Sequence, residues 1–155
     1  MPTHAHAVPS HAAIPSPGAV GAAMYVRDVA AQALGIRLEA IGSGTATMSM
    51  PVRADMVQGH GTCHGGLIFT LADTAFAYAC NSENQATVAA GANIEFLKPA
   101  YAGDLLSAVA TRLTQAGRTG IYDILVSNQH GVAIASFRGK SASIKGQIIA
   151  TADGA

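Results

Sequence analysis

The run from His64 through Gly65-Gly66-Leu67-Ile68-Phe69-Thr70-Leu71-Ala72-Asp73-Thr74-Ala75-Phe76-Ala77-Tyr78-Ala79 to Cys80 contains a single formally charged residue, Asp73. Read as a helix, it sets Ile68, Ala72, Ala75, Phe76 and Ala79 on one side and Leu67, Leu71 and Tyr78 on another, so nearly every face is apolar. Such a helix has to be buried all round. At about 1.5 Å per residue it spans roughly 25 Å, short of a bilayer crossing, and the acid at its middle argues against a membrane span. A chain folding in water buries a helix of this kind by wrapping it, and the chain beyond Cys80 reads as strand. The expected picture is a central helix held in a sheet.

Asp73 is the only acidic or Lys/Arg residue between Asp55 and Glu83. A carboxylate withdrawn from water is costly unless it is hydrogen-bonded, paired or used in chemistry. The entry to the helix favours use. Gly65 and Gly66 carry no side chain, so a ligand can approach the first turn, where unpaired N–H groups and the positive end of the helix dipole favour a developing oxyanion. The alternative is close packing of a loop on the helix start. Gly66 and Asp73 are separated by about two turns, so they share a face but lie about 10 Å apart. That is too far to hold one carbonyl within one subunit. The two act together only if a second copy of the helix runs antiparallel alongside.

Around this helix the chain reads as one domain with a substantial core, being 155 residues long, half apolar and 12% charged. Nine basic and nine acidic residues balance to zero, and nothing calls for nucleic acid or an anionic membrane. Residues 1–21 read as a disordered tail rich in Ala, Pro, His and Ser, without the basic and apolar blocks of a secretory signal. His4, His6 and His11 fit a solvated tail better than a metal site. A short amphipathic helix is expected over 22–34, ended by Gly35. Ile36–Ile41 and Thr45–Val52 form a hairpin through Gly42-Ser43-Gly44. After the central helix, Ala92, Ile94 and Phe96 alternate with Asn93, Glu95 and Leu97. Leu105–Leu113, the face Tyr122, Ile124, Val126, and the face Ala133, Ala135, Phe137 give three more strands. Short connections make the sheet mainly antiparallel.

Other constellations are weaker. His60, Cys63 and His64 have metal-like spacing, but no further ligand clusters with them, and no metal or cofactor is expected. Gly61 and Gly66 have P-loop spacing without the following Lys. Cys63 and Cys80 stand at opposite ends of the helix, too far apart to bond to each other, and free thiols point to the cytoplasm. Lys98, Arg118, Arg138 and Lys140 are either a solvated face or contacts for phosphate.

The run Gly59 to Ser82, with His64-Gly65-Gly66 followed by Leu71-Ala72-Asp73, resembles the PaaI type of hotdog-fold acyl-CoA thioesterase, in its phenylacetate-pathway branch. The likeness continues in Asn93-Ile94-Glu95-Phe96-Leu97-Lys98-Pro99, Ala102-Gly103-Asp104, Thr119-Gly120-Ile121-Tyr122-Asp123 and Phe137-Arg138-Gly139-Lys140-Ser141. It covers roughly residues 22–148, leaving 149–155 as a second tail. The resemblance implies an α+β hotdog domain, with an antiparallel sheet of five to six strands wrapped around the long helix and a short N-terminal helix. It implies hydrolysis of acyl-CoA thioesters, phenylacetyl-CoA or its ring-hydroxylated forms first among them. Gly65 would polarise the carbonyl, Asp73 of the facing subunit would activate water or attack, and His64 would fix substrate or loop. Gly66, Arg27, Thr74 and Asn81 are the accompanying substrate-binding candidates. Arg27 stands where some members carry an orienting Asn, and reads either as a contact for an anionic part of the ligand or as solvated. The implied assembly is a homo-oligomer, a dimer or a dimer of dimers, with the site at the interface. A hotdog dehydratase and a non-catalytic acyl-CoA sensor are the competing readings.

Overall fold

The computed structural model describes residues 13–151. His4, His6 and His11 therefore lie outside the described residues. Ser16 caps the first helix, α1 (Pro17–Arg27), by accepting the Ala19 N–H at 3.2 Å. This corrects two expectations, the tail running to residue 21 and one helix over 22–34. Pro17 occupies the first helical turn, where its missing N–H has no intrahelical partner to lose. The helix also breaks at Asp28, whose carboxylate caps the next one, α2 (Val29–Ala33), through the Ala31 N–H at 3.0 Å. The other oxygen of Asp28 accepts the Tyr78 hydroxyl at 3.2 Å, tying this junction to the central helix.

Six strands follow, β1 (Arg37–Gly42), β2 (Thr45–Pro51), β3 (Gln85–Phe96), β4 (Leu105–Ala116), β5 (Thr119–Ser127) and β6 (Ala133–Gln147), with α3 (Gly65–Asn81) between β2 and β3. They form one sheet in the order β1-β2-β4-β5-β6-β3, every neighbour antiparallel. The sheet curls around α3. The inward positions are Ala46, Met48 and Met50 on β2, Val52 just beyond it, and Leu106, Ala108 and Ala110 on β4; on β5 and β6 they are those the alternation marks, Tyr122, Ile124 and Val126, then Ala135 and Phe137. Phe76 of α3 lies between Tyr122 and Phe137, with ring centroids 5.4 and 6.1 Å away. Gly139 makes room for it, since a Cβ there would lie 2.8 Å from the Phe76 ring.

β3 departs from expectation. It starts at Gln85, well before the apolar alternation, because a stretch of mostly small residues, broken only by Val88, pairs with β6. It is also an edge strand, bonded to β6 on one side only. Its expected apolar face is therefore largely uncovered within one subunit: Phe96 is 55% and the neighbouring Leu97 53% exposed. At the other end of the chain, Ile149, the first residue of the expected second tail, is pinned by Asn84 through bonds of 2.8 and 3.0 Å. Among the described residues no helix is long and apolar enough to cross a membrane.

Candidate active site

The segment before α3 is held at several points. The Cys63 N–H donates to the Ala100 carbonyl and the His64 N–H to the Met56 carbonyl, both at 2.8 Å, and Val57 bridges Cys63. These contacts deliver His64 to the N-cap in extended conformation. Its Nδ1 accepts the Gly66 N–H at 3.0 Å, and its carbonyl accepts the N–H of Leu67 at 3.0 Å and of Ile68 at 3.3 Å. With Nδ1 an acceptor, a neutral ring carries its proton on Nε2. Gly66 is therefore committed to the cap. The Gly65 N–H has no acceptor among the described residues, which leaves the donor at the positive end of α3 unsatisfied.

Two cavities flank this turn. One, of about 300 Å³, includes Gly65, Cys63, Ile68, Phe96 and Lys98 in its wall. The other, of about 340 Å³, lies on the side of His64, Gly66, Met56 and Leu67. The Phe96 ring closes over Gly65, 3.0 Å from where a Cβ would stand. Phe96 belongs to the sequence likeness but carried no assigned role. Only the return of the chain after β3 reveals its position over the helix start.

Asp73 borders neither cavity. It lies on the stripe Gly66, Thr70, Asp73, Ala77 and Cys80, whose members are all half-buried or exposed, while Leu71, Ala72, Ala75 and Phe76 face the core. Burial pushes its carboxyl above the usual value of 3.8, and no cation or hydrogen bond opposes the shift. A half-buried carboxylate with no partner among the described residues is a competent proton acceptor.

The remaining candidates separate. The Thr74 hydroxyl donates to the Thr70 carbonyl at 2.7 Å, as Thr70 does to Gly66 at 2.9 Å. Asn81 is buried and braces the helix end against β3: its Nδ2 donates to the carbonyls of Ala77 and Thr87, and its Oδ1 accepts the Thr87 N–H, each at 2.9 Å. With its amide so engaged, Asn81 clamps the helix end to β3 within the subunit. Arg27 ends α1, exposed and without a hydrogen bond or ion pair among the described residues. Burial pushes both thiols up, Cys63 above its ordinary value and Cys80 to about 12, so neither is a ready nucleophile at neutral pH. No three His, Cys, Asp or Glu side chains cluster in metal-binding fashion among the described residues.

A sequence model of the Thioesterase superfamily matches residues 60–135, from the approach to α3 into β6. The acyl-coenzyme A thioesterase PaaI of Escherichia coli (strain K12) is 51% identical over 126 residues, 81% of this chain and 90% of that protein. The solved E. coli PaaI protein from the phenylacetic acid degradation operon superposes with a TM-score of 0.83 at 48% identity, covering 84% of this chain and 95% of that one. The TT0310 protein of Thermus thermophilus gives 0.73 at 34% identity, with coverage of 76% and 99%. With its helix wrapped in one antiparallel sheet and its sequence shared over most of both lengths, the chain belongs to the thioesterase superfamily, in the PaaI type of hotdog-fold enzyme.

Proposed function

We propose that the protein hydrolyses acyl-CoA thioesters, with phenylacetyl-CoA or ring-hydroxylated phenylacetyl-CoA as substrate, to the free acid and CoA. The observation that carries this reading is the unsatisfied Gly65 N–H at the start of α3 together with the unpartnered Asp73 on the open stripe of the same helix. The name of the E. coli relative supports the reaction class.

The two groups divide the chemistry. The Gly65 N–H stabilises the oxygen of the thioester carbonyl as it becomes an oxyanion. Asp73 takes a proton from water as that water attacks the carbonyl carbon, or attacks the carbon itself to give an anhydride that water then opens. The C–S bond breaks as the carbonyl reforms, and CoA leaves as a thiolate. Since thiols have pKa values near about 8.5, no strong general acid is needed. His64 acts through the loop, by holding Gly66 and the first turn. Of the four cations considered for phosphate, Lys98 lines the cavity beside Gly65, whereas Arg138 is paired with Asp123 at 2.6 and 2.8 Å.

The site is shared between subunits of a homo-oligomer. Asp73 is about two helical turns along α3 from its own Gly66, a separation of about 10 Å, so the oxyanion donor and the base come from different copies. β3 offers an unpaired edge of twelve residues, with Val88 and Phe96 exposed along it, where a second copy can add its own strand. The free thiols suit a reducing compartment, the cytoplasm.

Thiol release from a panel of arylacetyl- and short aliphatic acyl-CoAs tests the activity, after subtraction of Cys63 and Cys80. Tight binding of CoA esters with no turnover would replace hydrolysis by the sensor reading. Subunit mixing tests the shared site. Pro at position 65 deletes the N–H at the first helical position; the extended backbone of His64, at ψ 128, tolerates a following proline, and the exposed Phe96 ring gives by a few tenths of an ångström to admit its Cβ. Gly65→Pro and Asp73→Asn are each expected to be inactive, yet refolding them together should restore about one quarter of wild-type activity, because half the dimers then carry one intact site. A mixture as inactive as its components would place both groups in one subunit's site.

A further inference from the structure

Beyond Asp73 the open stripe of α3 continues through Ala77 to Cys80. There a cavity of about 350 Å³ opens between the helix end, the start of β3 and the β4–β5 hairpin. Cys80, Thr87, Arg112, Gln115, Tyr122 and Ser143 contribute to its wall. Of the two arginines that border it, one is neutralised and the other keeps a single positive charge at the exposed rim. Arg112 grips Glu83 with two bonds of 2.9 and 3.0 Å, and the exposed Arg118 turns its Nε to the Ser143 carbonyl at 2.9 Å. Tyr122 is 1% exposed, its ring held by Phe76. The Arg112 guanidinium approaches its hydroxyl, but burial prevails and keeps the phenol protonated. Arg112 can only donate, so the phenolic oxygen is the acceptor in that contact and the phenolic proton remains to be given to something else.

We propose that this cavity receives the far end of the acyl group and that Tyr122 recognises a hydroxyl carried there, making it a specificity-determining residue for ring-hydroxylated arylacetyl-CoA. The inference rests on the proposed thioesterase activity. Asp73 and Cys80 lie about 10 Å apart along one helix face, and Ala77 between them has too small a side chain to block the way. An acyl group whose carbonyl is held at Asp73 and whose ring runs along this face brings its far substituent to the cavity mouth. A wall with a buried hydroxyl and the neighbouring polar side chains of Thr87, Gln115 and Ser143 suits a phenol, which both donates and accepts.

The test compares kcat/KM for 3- and 4-hydroxyphenylacetyl-CoA with that for phenylacetyl-CoA in the wild type and in Tyr122→Phe. The preference of the better hydroxylated ester over the unsubstituted one is expected to fall about tenfold in the variant, the loss of one buried hydrogen bond to substrate. An unchanged ratio for both isomers overturns the assignment, even where both rates fall together. Should Tyr122→Phe fail to fold, Cys80→Leu narrows the same cavity from the half-buried helix face. It should raise KM for the arylacetyl esters about tenfold relative to acetyl-CoA, and an unchanged relative KM overturns the placement. A wild type that hydrolyses short aliphatic esters but neither arylacetyl form overturns the arylacetyl reading itself, a result distinct from a wild type that turns over every ester without Tyr122 affecting the preference.

Discussion

Asp73→Asn is expected to lower CoA release by about 10²-fold or more while fold and assembly stay intact. Asn keeps the volume and the hydrogen-bonding shape of the side chain but can neither take a proton from water nor attack a carbonyl. Among the described residues Asp73 has no cation or hydrogen-bonding partner to strand, so the usual cost of removing a charge is absent. The sign of the stability effect follows from the raised pKa. A carboxyl whose folded-state pKa exceeds its unfolded value imposes no penalty below the unfolded value, and an increasing one as pH rises from there through the folded value. At pH 7 the variant should therefore unfold at the same or a higher urea concentration than the wild type, and below pH 3.8 the difference should vanish. The same shift places the acid limb of the wild-type kcat/KM profile above 3.8. A variant retaining activity within tenfold would remove Asp73 from the chemistry. Loss of activity accompanied by a lower urea midpoint would indicate structural damage instead.

Phe76→Ala is expected to be the most damaging single truncation in the core, at about 3–5 kcal/mol. Phe76 is 1% exposed and joins α3 to β5 and β6 through Tyr122 and Phe137. Its ring also fills the space left by Gly139. Neither neighbour collapses easily into the void, because Gly139 has no side chain and the two aromatic residues are held on separate strands. Against a total stability of about 5–15 kcal/mol, the variant should unfold at a much lower urea concentration, read by circular dichroism. A loss below about 1 kcal/mol would mean that the aromatic cluster repacks, contrary to the rigidity argued for it.

The contrast between α3 and β3 shows what kind of information the sequence holds. α3 was legible because an apolar segment of its length admits few arrangements, and its start was marked by His64 and two glycines. The inward faces of β5 and β6 were legible because alternation of period two states which side meets the core. β3 was not, since its Ala, Thr and Gly residues are compatible with strand or loop, and pairing with β6 is a long-range event. The start of α1 was hidden because proline reads as a helix breaker, although in the first turn it breaks nothing.

For the candidate site the division is similar. The sequence by itself determined that one acid lies within an apolar helix and that glycines open its start, because burial and spacing along a helix are local consequences of residue type. Only the tertiary structure decided that Gly66 is spent on the His64 cap while Gly65 keeps a free donor, that Phe96 returns to cover Gly65, and that Asn81 braces β3. It also decided that a polar cavity lies beyond Asp73, at the end of the same helix face. Each of these depends on segments distant in the chain, or on the direction of a single N–H, being brought to one place by the closure of the sheet around its helix.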